Sequence, residues 1–154
     1  MSEKSKLSRR SFIQTTAAAT SISSAYFVPS RALGRQGNVG ANDKIQIALI
    51  GAGGMGRGNL KNCAAHPDVV VTGVCDVWKS RREQTVAEFP TAKGYNDYRE
   101  LLDQKNVDAV IIATPPHWHC LQAVDACKAG KDIYLQKPMT IHVAESLAVK
   151  QAVE

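Results

Sequence analysis

Three glycines, Gly51, Gly53 and Gly56, stand at the spacing Gly-x-Gly-x-x-Gly directly after the apolar run Ile45–Ile50. Each occupies a place that a side chain would obstruct. The first makes a tight turn off a strand, the second lets the backbone approach a pyrophosphate, and the third lets a new helix pack closely on the strand it has left. Gly54 and Met55 open that helix, whose first N–H groups aim at phosphate oxygens. Alone the pattern is weak, because glycine-rich turns are common. Its flanks strengthen it. A second apolar run, Val69–Val74, leads to Asp76, about twenty residues past Gly56, where a carboxylate accepts hydrogen bonds from the adenosine ribose of a dinucleotide. The chemistry implied is dinucleotide binding.

These residues need a scaffold in which strands end where helices begin. Apolar runs and amphipathic segments do alternate. Ile45–Ile50 reads as a strand and Met55–Ala65 as a helix ended before Pro67, followed by the strand Val69–Val74. Lys79–Phe89 is a charged helix stopped at Pro90. Ala92–Tyr95 reads as a short strand, and Asp97 as the N-cap of a helical turn through Leu102, with Glu100 completing a capping box. Val107–Ala113 is a continuous apolar strand of the kind buried on both faces. A helix over Trp118–Lys128 ending at Gly130, a strand over Asp132–Gln136 and a helix over Val143–Val153 complete the series. The prediction is an α/β fold, a doubly wound parallel sheet of Rossmann type. Residues 44–154 form the dinucleotide-binding domain and residues 1–43 lie outside it. A second, substrate-holding domain is missing, so the chain reads as a fragment.

The net charge of +5 is a property of the leader. Seven basic residues (Lys4, Lys6, Arg9, Arg10, Arg31, Arg35 and Lys44) face only Glu3 and Asp43, whereas from Ile45 onward there are twelve charges of each sign. No basic cluster with interleaved aromatics remains to follow a phosphate backbone, which argues against a nucleic-acid partner. Cys63, Cys75, Cys120 and Cys127 make no Cys-x-x-Cys pair and no zinc spacing, so no metal site is expected and the thiols read as buried singly.

Ser8-Arg9-Arg10-Ser11-Phe12-Ile13-Gln14 resembles the twin-arginine export motif, with Ile13 and Gln14 as mild departures. Thr15–Val28 follows, modestly apolar and rich in Ala, Ser and Thr, too short and too polar for a stable membrane span. With the polar spacer Ser30–Asn42, the series implies export to the periplasm or cell envelope and a partnership with the twin-arginine export machinery.

Four further stretches, taken with the glycine fingerprint, resemble the glucose-fructose oxidoreductase / inositol dehydrogenase / rhizopine-catabolism (Gfo/Idh/MocA) family. They are Val74-Cys75-Asp76-Val77; Tyr95-Asn96-Asp97-Tyr98-Arg99-Glu100-Leu101-Leu102; Val107 to His119, which ends Ala113-Thr114-Pro115-Pro116-His117-Trp118-His119; and Ala129 to Pro138, which ends Leu135-Gln136-Lys137-Pro138. The last two are the most specific. The resemblance implies that Thr114 and Pro115 lie near the nicotinamide ribose and that His119 opens the next helix beside it. It also implies that Lys137 serves the reaction centre, donating a hydrogen bond to a substrate hydroxyl or helping to take its proton. In the family the preceding residue is Glu; here Gln136 can bond a ribose hydroxyl but brings no negative charge.

Asp76 would repel a 2′-phosphate, which favours NAD, while Lys79, Arg81 and Arg82 could pair one, which leaves NADP open. The activity implied is hydride transfer with a sugar or polyol, with tightly held cofactor and redox-neutral turnover, since no soluble NAD pool recycles it outside the cytoplasm. A homo-oligomer is expected of the full-length protein. An NAD-dependent glycosidase of the same family and a non-catalytic NAD-binding or sugar-sensing protein are the alternatives.

Overall fold

A computed structural model describes residues 43–154. Five strands form one wholly parallel sheet in the order β3-β2-β1-β4-β5. They are β1 (Ile45–Ile50), β2 (Val69–Cys75), β3 (Lys93–Tyr95), β4 (Ala109–Ile112) and β5 (Asp132–Leu135). The helices are α1 (Gly54–Ala64), α2 (Lys79–Glu88), α3 (Tyr98–Leu102), α4 (His119–Lys128) and α5 (Val143–Val153), with a 3-10 turn at Pro116–Trp118 leading into α4. The doubly wound sheet expected from the sequence is the fold observed.

The central strands are apolar on both faces because both faces are covered. Along β1, Ile47 and Leu49 enter one core with Leu60 of α1, while Ala48 and Ile50 enter the other with Leu101 of α3, Ala123 and Ala126 of α4 and Val149 of α5. Ile111 of β4 points to the first core, and its neighbours Val110 and Ile112 to the second. This strict alternation is the period of a strand expressed as two cores. A register shift between Ile47 and Ala48 sets Ile47 opposite Val71 and Ala48 opposite Gly73.

The elements depart from expectation mainly at their ends. Val107–Ala113 is paired as a strand only over Ala109–Ile112, and β5 stops at Leu135, one residue before Gln136. Trp118 belongs to the 3-10 turn, so His119 is the first residue of α4. Asp97 does cap α3, but its carboxylate accepts the Arg99 N–H at 2.9 Å, not that of Glu100, and pairs with the Arg99 side chain at 3.2 Å. A carboxylate reaching back to a helix start occurs instead at α5, where Glu145 accepts from the N–H groups of Ile141 (3.0 Å) and His142 (3.1 Å). Those two donors hold its carboxyl below the ordinary range.

The sheet runs outward from β1 in both directions, to β2 and β3 on one side and to β4 and β5 on the other. The chain therefore changes direction between β1 and β4, and the crevice beyond their C-terminal ends is where this architecture binds ligands.

Candidate functional site

A cleft of about 660 Å³ lies at that crevice, within the usual size range for a small-molecule or cofactor site. Gly51 and Gly53 line it from the first turn, Asp76, Trp78 and Arg81 from beyond β2, Asn96 and Asp97 from beyond β3, and Thr114, Pro115 and Trp118 from beyond β4.

The glycine turn is built as its spacing requires. Gly51 has φ +97°, and a Cβ there would lie 2.7 Å from the Ala113 carbonyl carbon of the adjacent strand end. A Cβ on Gly56 would collide with the Gly51 carbonyl oxygen and crowd Leu49 and Ala113. At Gly53 a Cβ would meet no protein atom within 4 Å, and this residue borders the cleft. The first and third glycines thus serve the protein's own packing, whereas the second keeps backbone accessible. Gly53 is the N-cap of α1, with no acidic residue in the first turn that follows. The N–H groups of Gly54, Met55 and Gly56 have no intrahelical acceptor by helix geometry, and they carry the positive end of the helix dipole. A diphosphate fits this cradle.

Asp76 leaves the end of β2 and joins two loops. Its Oδ2 accepts the Ala52 N–H at 2.7 Å, from within the glycine turn, and its Oδ1 accepts the Trp78 N–H at 2.7 Å. A carboxylate has about four acceptor positions, so roughly two remain for ribose hydroxyls. Of the three cations that follow, Lys79 pairs with Glu83 at 3.7 Å, and Arg82 donates to the Asp76 carbonyl and to Asn96 Oδ1. Arg81 alone of these lines the cleft, its guanidinium lying 4.3 Å from the centre of the Trp78 ring. Cys75, on the cleft floor, is buried; burial first, then the charge of Asp76, pushes its thiol up to about 12. It stays protonated and is no nucleophile at neutral pH.

The opposite end of the cleft is built by α4. Thr114 Oγ1 donates to Gln122 Oε1 at 2.6 Å, and the Thr114 carbonyl faces His119 Nε2 at 2.8 Å. His119 is 1% exposed, and its Nδ1 lies 2.8 Å from the carbonyl of Pro138. The ring therefore touches the two strand-end turns and is not among the residues lining the cleft. This differs from the nucleotide-side place that the sequence suggested, because both ring nitrogens are turned to backbone carbonyls. The Gln136 side chain folds back on the chain, its Oε1 accepting the Lys137 N–H at 2.7 Å. Lys137 is exposed, and its peptide bond to Pro138 is cis. Ile112 pairs with Leu135 as the last pair of β4 and β5, and Thr114 and Lys137 each follow that pair by two residues on adjacent strand ends.

The structure thus gathers Gly51, Gly53, Asp76, Thr114 and Pro115 on one cleft. Gly54, Met55 and Gly56 sit at the helix start behind the glycine turn, and Gln136 and Lys137 at the adjoining strand end. Sequence reasoning missed Trp78, Trp118, Asn96 and Gln122 as lining residues. The two tryptophans, the only ones in the chain, carried a signal in retrospect: each follows a strand end by a few residues and remains exposed.

Fold and cleft together define a dinucleotide-binding domain of Rossmann type. A family model described as oxidoreductase family, NAD-binding Rossmann fold (GFO_IDH_MocA) matches residues 45–154, and the chain belongs to this family. Among curated relatives, the chain is 33% identical over 112 residues to a scyllo-inositol 2-dehydrogenase (NAD(+)) of Bacillus subtilis, a match covering 72% of this chain and 33% of the relative. It is 25% identical over 171 residues to a glycosyl hydrolase family 109 protein of Shewanella pealeana, covering 97% of this chain and 37% of the relative. Among solved structures, the WlbA dehydrogenase of Bordetella pertussis, in complex with NADH and UDP-GlcNAcA, superposes with a TM-score of 0.68 at 26% identity, over 73% of this chain and 32% of that one. The chain spans about a third of the length of these relatives.

Proposed function

We propose that the full-length protein is an exported NAD-dependent oxidoreductase acting on a sugar or polyol, in which this domain holds the dinucleotide. One observation carries the reading: the glycine turn, Asp76 and the Thr114-Pro115 turn meet on a single cleft at the switch point of a parallel sheet. The names of the relatives supply the substrate class, since they include inositol dehydrogenases and an enzyme crystallised with a nucleotide sugar.

In this reading the α1 N-terminus takes the diphosphate and Asp76 the adenosine ribose. When bound, a nicotinamide dinucleotide would supply the hydride acceptor or donor for a carbinol carbon. Thr114 and Pro115 border the nicotinamide half, with Gln136 and Lys137 at the neighbouring strand end. Lys137 holds the substrate hydroxyl by a hydrogen bond and passes or takes its proton. The negative charge of Asp76 favours NAD, and Arg81 is the side chain best placed to accept the 2′-phosphate of NADP. Tightly held nucleotide and redox-neutral turnover follow from export, because a protein outside the cytoplasm has no soluble pool to draw on. The leader residues Ser8–Gln14, which motivate export, lie outside the described residues.

A second reading, an NAD-dependent glycosidase, is favoured by the family 109 match, which extends over 97% of this chain and so runs beyond the Rossmann domain. Both readings require bound nucleotide. Mass spectrometry of the small molecules released on denaturing the purified full-length protein tests this. Nicotinamide dinucleotide is expected, and a nucleotide-free preparation that ignores added NAD and NADP would remove both. Assays against inositols and against aryl glycosides then separate dehydrogenase from glycosidase. Fractionation of an Arg9→Lys, Arg10→Lys double variant tests export: retention in the cytoplasm is expected, and unchanged export would refute the twin-arginine reading.

A further inference from the structure

His119 is the one histidine among the described residues that is almost wholly buried, and it is spent on backbone. Its ring spans two carbonyls from different strand ends, Thr114 after β4 and Pro138 after β5, each at 2.8 Å. One turn further along α4, buried Gln122 accepts from the Thr114 hydroxyl at 2.6 Å. Side chains three apart share a helix face, so α4 grips Thr114 twice and Pro138 once from one surface. A neutral imidazole has one N–H and donates to one of the two carbonyls; a doubly protonated ring donates to both. A hydrophobic residue of similar volume would fill the space and hold neither.

We infer that His119 is a positioning residue: by tying the Thr114 turn to the Pro138 turn it fixes where Lys137 stands relative to the nicotinamide end of the cleft. The inference rests on the proposed role of Lys137 and adds the cause of its placement. Pairing of β4 with β5 ends at Ile112 and Leu135, and Gln136 N–H to Ile112 carbonyl (2.9 Å) is the last backbone bond between the two strands. Beyond that point the His119 ring bridges the two turns. Lys137 precedes Pro138 directly, so a shift of the Pro138 carbonyl carries the lysine with it. Displacements of about 1 Å at a reacting group cost about 10²-fold in rate, so such a tether matters to catalysis without touching substrate.

The test needs no substrate. In the full-length protein the lysines are reductively methylated with ¹³C, which keeps their charge, and the Lys137 signal is assigned by its absence in Lys137→Arg. In the wild type this signal is expected to differ between the NAD and NADH forms, because the nicotinamide ring loses its positive charge on reduction. In His119→Phe the difference should be lost while NAD affinity, read by fluorescence titration, stays within about a factor of two, as befits a change distant from the diphosphate and adenosine contacts. In His119→Gln, whose one amide nitrogen can reach one of the two turns but does not span both as the ring does, part of the difference should return. A full NAD/NADH difference in His119→Phe overturns the inference. If His119→Phe fails to fold or to bind NAD, His119→Gln decides alone: a reduced difference supports the tether and an undiminished one overturns it. No difference in the wild type removes the role of Lys137 itself, and this inference with it.

Discussion

Asp76 accepts the backbone N–H of Ala52 at 2.7 Å across 24 residues of sequence. The residue proposed to take the ribose therefore also pins the turn proposed to take the diphosphate, so one carboxylate ties the two parts of the cleft together. Asp76→Asn keeps an acceptor for Ala52 but loses the charge; Asp76→Ala loses both. Hydrogen bonds to charged groups contribute about 1.5–3 kcal/mol, so Asp76→Ala should raise the Kd for NAD roughly ten- to a hundredfold. Removing the negative charge from the cleft that Arg81 also lines should shift preference toward NADP in both variants. Parallel titrations with NAD and NADP check this, and an unchanged ratio of the two affinities would refute the selectivity argument.

The fingerprint glycines should separate by phenotype. A Cβ on Gly56 collides with the Gly51 carbonyl oxygen, whereas one on Gly53 meets no protein atom within 4 Å. Gly56→Ala should therefore destabilise the fold by about 3 kcal/mol or more, at or above the upper end of overpacking costs. Gly53→Val should fold with little change in Tm yet bind NAD poorly, its side chain occupying the diphosphate's approach. Thermal melts with and without NAD distinguish them. A Gly53→Val protein that NAD still stabilises would show that the diphosphate lies elsewhere.

The fold was legible in the sequence because buried parallel strands and glycine-led helices leave strong local marks. Ile45–Ile50 and Val143–Val153 have the bounds their patterns implied. The limits of β4 and β5 were less readable, since pairing stops where partner backbone runs out and apolar residues continue past it. The place of Asp76 and of the glycine turn at the C-terminal edge of the sheet was readable from spacing alone. Trp78, Trp118 and the bridging place of His119 were not, because lining a cleft or spanning two turns depends on how separate strand ends meet. Arg82 shows the same limit: its neighbours in sequence suggest a phosphate ligand, and its actual partners are the Asp76 carbonyl and Asn96.

Cys75 should give the domain a measurable alkaline sensitivity. Its thiol is raised from the ordinary 9.0 to about 12 in the folded protein, by burial first and then by neighbouring Asp76. The folded chain keeps a proton that the unfolded chain releases. This contribution is thus complete below pH 9.0 and is lost as pH rises toward about 12. Cys75→Ala removes the titrating group, so the stability gap between wild type and variant should narrow as pH rises from 8 toward about 11. Urea unfolding of both proteins across that interval reads it, and a constant gap would mean that the thiol titrates alike in both states.

The last prediction separates binding from chemistry at the two ends of the cleft. Lys137 follows β5 by two residues, whereas the glycine turn follows β1 and Asp76 follows β2, on the other side of β1 and β4 from it. Its removal leaves the glycine turn and Asp76 untouched. Lys137→Ala in the full-length protein should therefore keep NAD affinity within about a factor of two, since distant sites act independently. Turnover with a responsive polyol should fall about 10²–10⁴-fold, the range for losing a positioned acid or base. Lys137→Arg, which restores charge but is a poor proton carrier, should recover substrate binding more than rate. Steady-state kinetics beside cofactor titration gives both quantities for each variant. Full turnover in Lys137→Ala would assign the proton to another group and leave Lys137 a surface residue.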